Sequence, residues 1–271
     1  MGIFKAALLG IIQGLAEFLP ISSSGHLKLA QILLNTQESA GAAFDIFLHL
    51  GTLVAVLIYF RKTLWALLVS LFRWRNSLDN QVHFHNRLLI FYLGVSTVVT
   101  GVFYLFFQDP LDSIFENPNP LLIAMMLGIT GLLVFISDTI KDCRIPASSM
   151  GLMRSIIIGL GQGIAIIPGI SRSGTTIAVS LMTGLKRKDA AHYSFLLSIP
   201  AILGANLKEL ATLRSLQAAQ IFPYLVGFLF AAVSGYAVIS LLIGFIRQSK
   251  LKYFSYYCWL IALITILIVI I

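Results

Sequence analysis

Charge is scarce in this chain of 271 residues: Asp, Glu, Lys and Arg together make up 11% of it. That scarcity excludes an ordinary soluble domain, in which about a quarter of residues are charged. Cysteine is almost absent. Cys143 and Cys258 lie far apart with no metal-ligand spacing around them, so neither a disulfide framework nor a cysteine metal site is expected. Strictly alternating polar and apolar stretches are lacking too, which excludes an outer-membrane barrel. No separate cleavable signal is expected, because the first apolar run leads straight into a polar motif.

What remains is apolar. Hydrophobic residues make up 58% of the chain, and the mean hydropathy is +0.91. Long continuous runs of this kind indicate an all-α integral membrane protein, because a backbone in lipid must satisfy its hydrogen bonds internally. The formal charge of +8 is then assigned to cytoplasmic loops and not to nucleic-acid binding.

Six runs qualify as spans: residues 44–60, 88–107, 121–136, 190–207, 221–246 and 254–271. Residues 63–72 are too short to cross and are expected to lie along the interface, followed by Arg73 and Arg75. Two further pieces are broken by polar turns. Residues 3–34 are interrupted at Pro20 and Ser22–Ser24, and residues 155–185 at 168–176. Each half is shorter than the about 20 residues a span needs, so both pieces are expected to be re-entrant helical hairpins. One kinked transmembrane helix is the alternative at the first of them.

The two broken pieces are related. Placing Gln13 on Gln162 also places Gly10 on Gly159, Gly14 on Gly163, Ser22 on Ser171, Ser24 on Ser173 and Gly25 on Gly174. The register continues, with Phe44 on Tyr193 and Leu48 on Leu197. The expected organisation is a single membrane domain of two repeats, 1–152 and 153–271, each a hairpin and three spans. Three spans between the hairpins make the repeats inverted. The charges agree. With the first hairpin outside, residues 61–87, 141–154, 186–188 and 247–252 are basic and inside, and the acidic stretch 108–120 is outside. Residues 208–214 also fall outside, nearly balanced by Glu209.

Each break prepares a helix N-terminus. Serines followed by glycine cap well, and the first N–H groups together with the helix dipole attract phosphate. The expected anion-binding set is Ser22, Ser24 and Gly25 in the first break. In the second it is Gly169, Ser171, Ser173, Gly174 and Thr176. Arg172 adds a planar fork suited to phosphate oxygens, and mid-hairpin it is poorly placed to snorkel. Glu17, Ser23 and His26 supply an acid, a hydroxyl and an imidazole to one tip, the parts for attack on phosphorus. Glu17 could equally hold a divalent cation. Asp45 and His49, one turn apart, are candidates to support these groups. His83, His85 and His192 are assigned no role. The expected site forms where the two breaks meet around a diphosphate.

The segments QGLAEFLPISSSGH and PGISRSGTT resemble the two signature motifs of the bacterial undecaprenyl-diphosphate phosphatases of the bacitracin-resistance type, over essentially the full length. The resemblance implies an enzyme of the inner membrane, its site facing the periplasm. It would remove one phosphate from undecaprenyl diphosphate, recycle the carrier for peptidoglycan and confer bacitracin resistance. It further implies a divalent cation, magnesium or calcium, with the acidic motif at Gln13 and Glu17. Ser23 and His26 take the family's serine–histidine pair, and Arg172 its phosphate-binding arginine. Many members have Glu where this chain has Gln13, so one carboxylate remains of a metal-binding pair. Whether Ser23, His26 or an activated water is the nucleophile stays open at this point. The partners implied are a polyprenyl diphosphate lipid and the bilayer, and a homodimer is compatible with the sequence. The rival function is a lipid-phosphate flippase or secondary transporter of an anion, because inverted repeats with broken helices are transporter architecture.

Overall fold

The computed structural model describes residues 1–72, 80–116, 118–209 and 217–270, almost entirely as helix. In chain order the helices are α1 (Ile3–Phe18), α2 (Ser23–Leu33), α3 (Gln37–Tyr59), α4 (Arg61–Phe72), α5 (Asn80–Phe106) and α6 (Gln108–Glu116). They continue as α7 (Pro120–Thr139), α8 (Leu152–Ile164), α9 (Arg172–Met182), α10 (Arg187–Glu209), α11 (Ala218–Arg247) and α12 (Lys252–Ile270). Among the described residues six helices, α3, α5, α7, α10, α11 and α12, are long and apolar enough to cross a membrane. Their outward faces carry Val98, Leu105, Leu229, Val233, Leu260 and Ile268, all exposed. In water such faces would drive aggregation; they suit a multi-pass protein in lipid.

Several boundaries differ from the sequence expectation. The stretch expected as an external loop contains α6, which starts with Asp109 in its first turn, where an acid favours the helix dipole. Residues 80–87, expected as loop, extend α5, because polar residues at a water-facing end do not break a helix. The piece expected along the interface is the helix α4. Arg73, Arg75 and most of the stretch 208–214 lie outside the described residues. The largest shift concerns the polar breaks. Most of each serine motif is already helical, since α2 begins at Ser23 and α9 at Arg172.

Lipid supplies no hydrophobic drive for helix association, so close backbone approach must hold the bundle. Gly14 of α1 lies on α11, where an added Cβ would fall 2.5 Å from the Ala231 carbonyl oxygen. Gly159 of α8 lies on α5, where one would fall 2.7 Å from the Ser96 carbonyl oxygen. Each first helix of a broken pair is also tied to the end of its second. Lys5 Nζ donates to the Leu34 carbonyl at 2.7 Å, and Arg154 Nε donates to the Thr183 carbonyl at 2.9 Å. In both cases a cation satisfies a carbonyl at a helix C-terminus. The centre is locked by Tyr193, buried on α10, whose hydroxyl donates to the Tyr92 carbonyl on α5 at 2.7 Å. On the far side Trp259 of α12 donates to the Gly128 carbonyl of α7 at 3.1 Å.

Candidate active site at the meeting of the two breaks

The two serine turns meet. Ser22 caps α2, its hydroxyl accepting from the Gly25 N–H, and Ser171 caps α9 in the same way through the Gly174 N–H. Gly25 packs against Gly169, and Gly174 against Pro20. Ser173 Oγ donates across the junction to the Leu19 carbonyl at 2.9 Å. Ser22 holds φ of 70°, in the left-handed region that a serine rarely adopts. Strain of this kind survives only where the surroundings impose it, and it clusters at functional sites. Gly169 has φ of 94° and lies on the Ile123 backbone, leaving no room for a side chain.

Glu17 sits at the centre of the junction, its side chain 5% exposed. Arg172 Nη2 donates to Oε1 at 2.5 Å. Ser23 Oγ donates to Oε2 at 2.7 Å, and Gln13 Nε2 donates to the same oxygen at 2.9 Å. A carboxylate taken out of water costs several kcal/mol, and these donors with the paired cation offset that cost. Arg172 comes from the second break and the carboxylate from the first, so neither tip is complete without the other. His49 on α3 joins them, with Nδ1 3.6 Å from Glu17 Oε2 and 3.0 Å from Gln13 Nε2.

Of the acid, hydroxyl and imidazole expected together, Glu17 and Ser23 are hydrogen-bonded, but His26 is engaged elsewhere. Its Nδ1 lies 2.9 Å from the Ser22 carbonyl oxygen, and its Nε2 3.0 Å from the Tyr257 hydroxyl on α12. The two rings stack with planes 14° apart. A carbonyl oxygen only accepts, so Nδ1 carries the proton and Nε2 receives the phenolic one. Asp45 and His49 also separate. Asp45 binds Lys28 at 3.1 Å and Gln31 at 2.7 Å, bracing α2 against α3, while His49 turns to Gln13 and Glu17.

The remaining candidates divide by exposure. Ser23, Ser24 and Arg172 are half-buried. Ser22, Ser171, Ser173 and Thr176 are buried, with hydroxyls engaged inside the protein. Thr176 Oγ1 shares a hydrogen bond of 2.6 Å with Ser194 Oγ on α10. Thr130, on α7, accepts from the Ser171 N–H at 2.9 Å and donates to the Gly169 carbonyl at 2.9 Å. Tyr257, Ser194 and Thr130 were not singled out in the sequence. Thr130 is a lone hydroxyl in an apolar span, Ser194 follows His192 and Tyr193, and Tyr257 follows Ser255 and Tyr256, with no motif to mark any of them.

The donor set for a cation can be tested on these atoms. Among the described residues no three His, Cys, Asp or Glu side chains group as a metal site. Gln13 Oε1 is nonetheless fully buried without a hydrogen-bond partner. An orphaned carbonyl beside a carboxylate is a suitable hard-oxygen pair for magnesium or calcium.

The family model for bacitracin resistance protein BacA matches residues 6–264. A protein of Methanobrevibacter smithii named undecaprenyl-diphosphatase is 40% identical, over 97% of this chain and 96% of its own. Proteins of the same name from Halothermothrix orenii and Syntrophotalea carbinolica are 40% and 41% identical, covering 99% and 96% of this chain and 98% and 96% of theirs. With the match running from the first broken pair into the last span, the chain belongs to the BacA family of bacitracin resistance proteins.

Proposed function

We propose that this chain hydrolyses undecaprenyl diphosphate to undecaprenyl phosphate and inorganic phosphate. The observation that carries the reading is the junction itself. Arg172 of one break sits on Glu17 of the other, with the Ser23 hydroxyl donating to the same carboxylate. Family membership and the names of the relatives support the substrate. Arg172 and the first-turn N–H groups of α2 and α9 hold the diphosphate oxygens.

In this reading Ser23 Oγ attacks the terminal phosphorus and its proton passes to Glu17 Oε2. The bond from that phosphorus to the bridging oxygen breaks, and undecaprenyl phosphate leaves with the proton that Glu17 had taken, which restores the carboxylate. Water then cleaves the phosphoserine, Glu17 taking one of its protons as phosphate departs and the serine oxygen is reprotonated. His26, held by Ser22 and Tyr257, lies beside the tip as a second proton carrier. When bound, a magnesium or calcium ion on the Glu17 carboxylate and the Gln13 carbonyl supplies positive charge to the diphosphate.

The fold reading that goes with this is two inverted repeats, 1–152 and 153–271, each opening on a re-entrant hairpin. Three paired features support it: the serine caps, the Lys5 and Arg154 ties, and the glycine contacts of α1 on α11 and of α8 on α5. The site then faces the outside of a bacterial inner membrane. Removal of the diphosphate, the form that bacitracin targets, would confer resistance and return the carrier to cell-wall synthesis.

Orientation is open to direct measurement. In a variant lacking Cys143 and Cys258, cysteines at Asp109 and Asn119 should react with an impermeant thiol reagent added to intact cells. Cysteines at Arg144 and Ser249 should react only after lysis. Labelling of all four from one side would overturn the inverted arrangement.

A flippase built on the same repeats is the second reading, favoured by the duplicated broken helices. Purified protein in detergent separates the two, because no transport is possible there. Release of inorganic phosphate from undecaprenyl diphosphate is expected. Binding of the lipid without release would overturn the hydrolase in favour of the transporter.

A further inference from the structure

The motif residues do not account for His49. It is half-buried on α3, outside both motifs, yet its ring nitrogen is directed at the catalytic carboxylate. With Gln13 Nε2 donating, His49 Nδ1 is an acceptor and carries its lone pair toward the Gln13 amide, beside Glu17. Gln13 Nε2 is 2.9 Å from Glu17 Oε2 and 3.0 Å from His49 Nδ1, and these two acceptors are 3.6 Å apart.

Those separations have a chemical meaning. Neighbouring donors around an octahedral ion with bonds of about 2.1 Å stand about 3 Å apart. Two lone-pair atoms face each other here with an amide N–H group between them. Oε1 of that amide is buried and unpartnered. A half-turn of the Gln13 side-chain amide exchanges Nε2 for Oε1, and three lone-pair atoms then stand 2.9, 3.0 and 3.6 Å from one another. Ser23 Oγ, 2.7 Å from Glu17 Oε2, stands at the edge of the same cluster.

We infer that His49 is a ligand of the divalent cation, completing a Gln13–Glu17–His49 set, and that this set favours manganese over calcium. The inference rests on the reading of the junction as a diphosphatase site. A neutral imidazole takes the place of a second carboxylate. Imidazole nitrogen suits transition metals, whereas calcium prefers an all-oxygen shell. Glu17 Oε1 remains with Arg172, so the cation and the guanidinium use different oxygens of one carboxylate. The protein offers one negative charge and three donors, and diphosphate oxygens fill the remaining positions.

The test uses purified full-length protein in detergent, manganese(II) and methylenediphosphonate, which cannot be hydrolysed. Electron spin echo modulation reads nitrogen bound directly to manganese. Wild type and His26→Gln should both show the modulation of a coordinated imidazole. His49→Gln, which substitutes a carbonyl oxygen, should retain bound manganese, lose the modulation, and reduce the preference for manganese over calcium by about tenfold. Absence of nitrogen modulation in wild type, or its persistence in His49→Gln, would overturn the assignment. Phosphate release from undecaprenyl diphosphate with magnesium is measured alongside. Activity without the modulation overturns the His49 assignment alone, and absence of activity overturns the diphosphatase reading on which it rests.

Discussion

Glu17→Gln is expected to lower phosphate release by about a thousandfold. The substitution keeps the volume and one acceptor oxygen but removes the charge. Ser23 then has no carboxylate to take its proton. The change also leaves Arg172, with its side chain 16% exposed, without a counter-ion. Breaking a buried pair by removing one partner costs about 3–5 kcal/mol, so lower thermal stability should accompany the loss. The double variant Glu17→Gln/Arg172→Gln separates the two effects. It removes the uncompensated charge, so stability should largely recover while activity stays lost. Near-normal turnover in stable Glu17→Gln protein would remove Glu17 from the chemistry.

Arg172→Lys is expected to reduce turnover about a hundredfold, comparable to losing one donor that stabilises the transition state. Lysine keeps the charge and can still reach Glu17. What it loses is the fork. Nη2 is committed to Glu17 Oε1, and Nη1 makes only a 3.4 Å contact with the Ser194 carbonyl. That leaves Nη1 and Nε to engage phosphate while the carboxylate is held, a division of labour one ammonium cannot reproduce. Single-turnover measurements at saturating lipid would show the loss in the chemical step. Turnover within a few-fold of wild type would reduce Arg172 to a distant counter-ion.

The local features were legible in the sequence for physical reasons. Continuous apolar runs have one stable form in lipid, so the helices over the expected runs 44–60, 121–136 and 254–270 follow from composition alone, apart from a turn at either end. Pro20 cannot continue a helix and Ser22 and Ser171 satisfy exposed N–H groups, so the two breaks and the helices after them are written locally. The match of the two motifs also marked Glu17, Ser23 and Arg172 as belonging together.

Which atoms meet was decided by tertiary structure. His26 is one helical turn from Ser23, a spacing that placed it beside the acid. The Ser22 carbonyl and Tyr257, far away in sequence on α12, hold it instead. Asp45 and His49 share a helix face, yet Lys28 and Gln31 take Asp45 while Gln13 and Glu17 take His49. A hydrogen bond depends on tenths of an ångström between helices distant in the chain. Here that spacing is imposed by backbone contact at Gly14 against α11, Gly25 against Gly169 and Gly159 against α5. Periodicity says which face a residue occupies. Only the packed bundle says what stands opposite, and for Glu17 that is Arg172, Ser23, Gln13 and His49 at once.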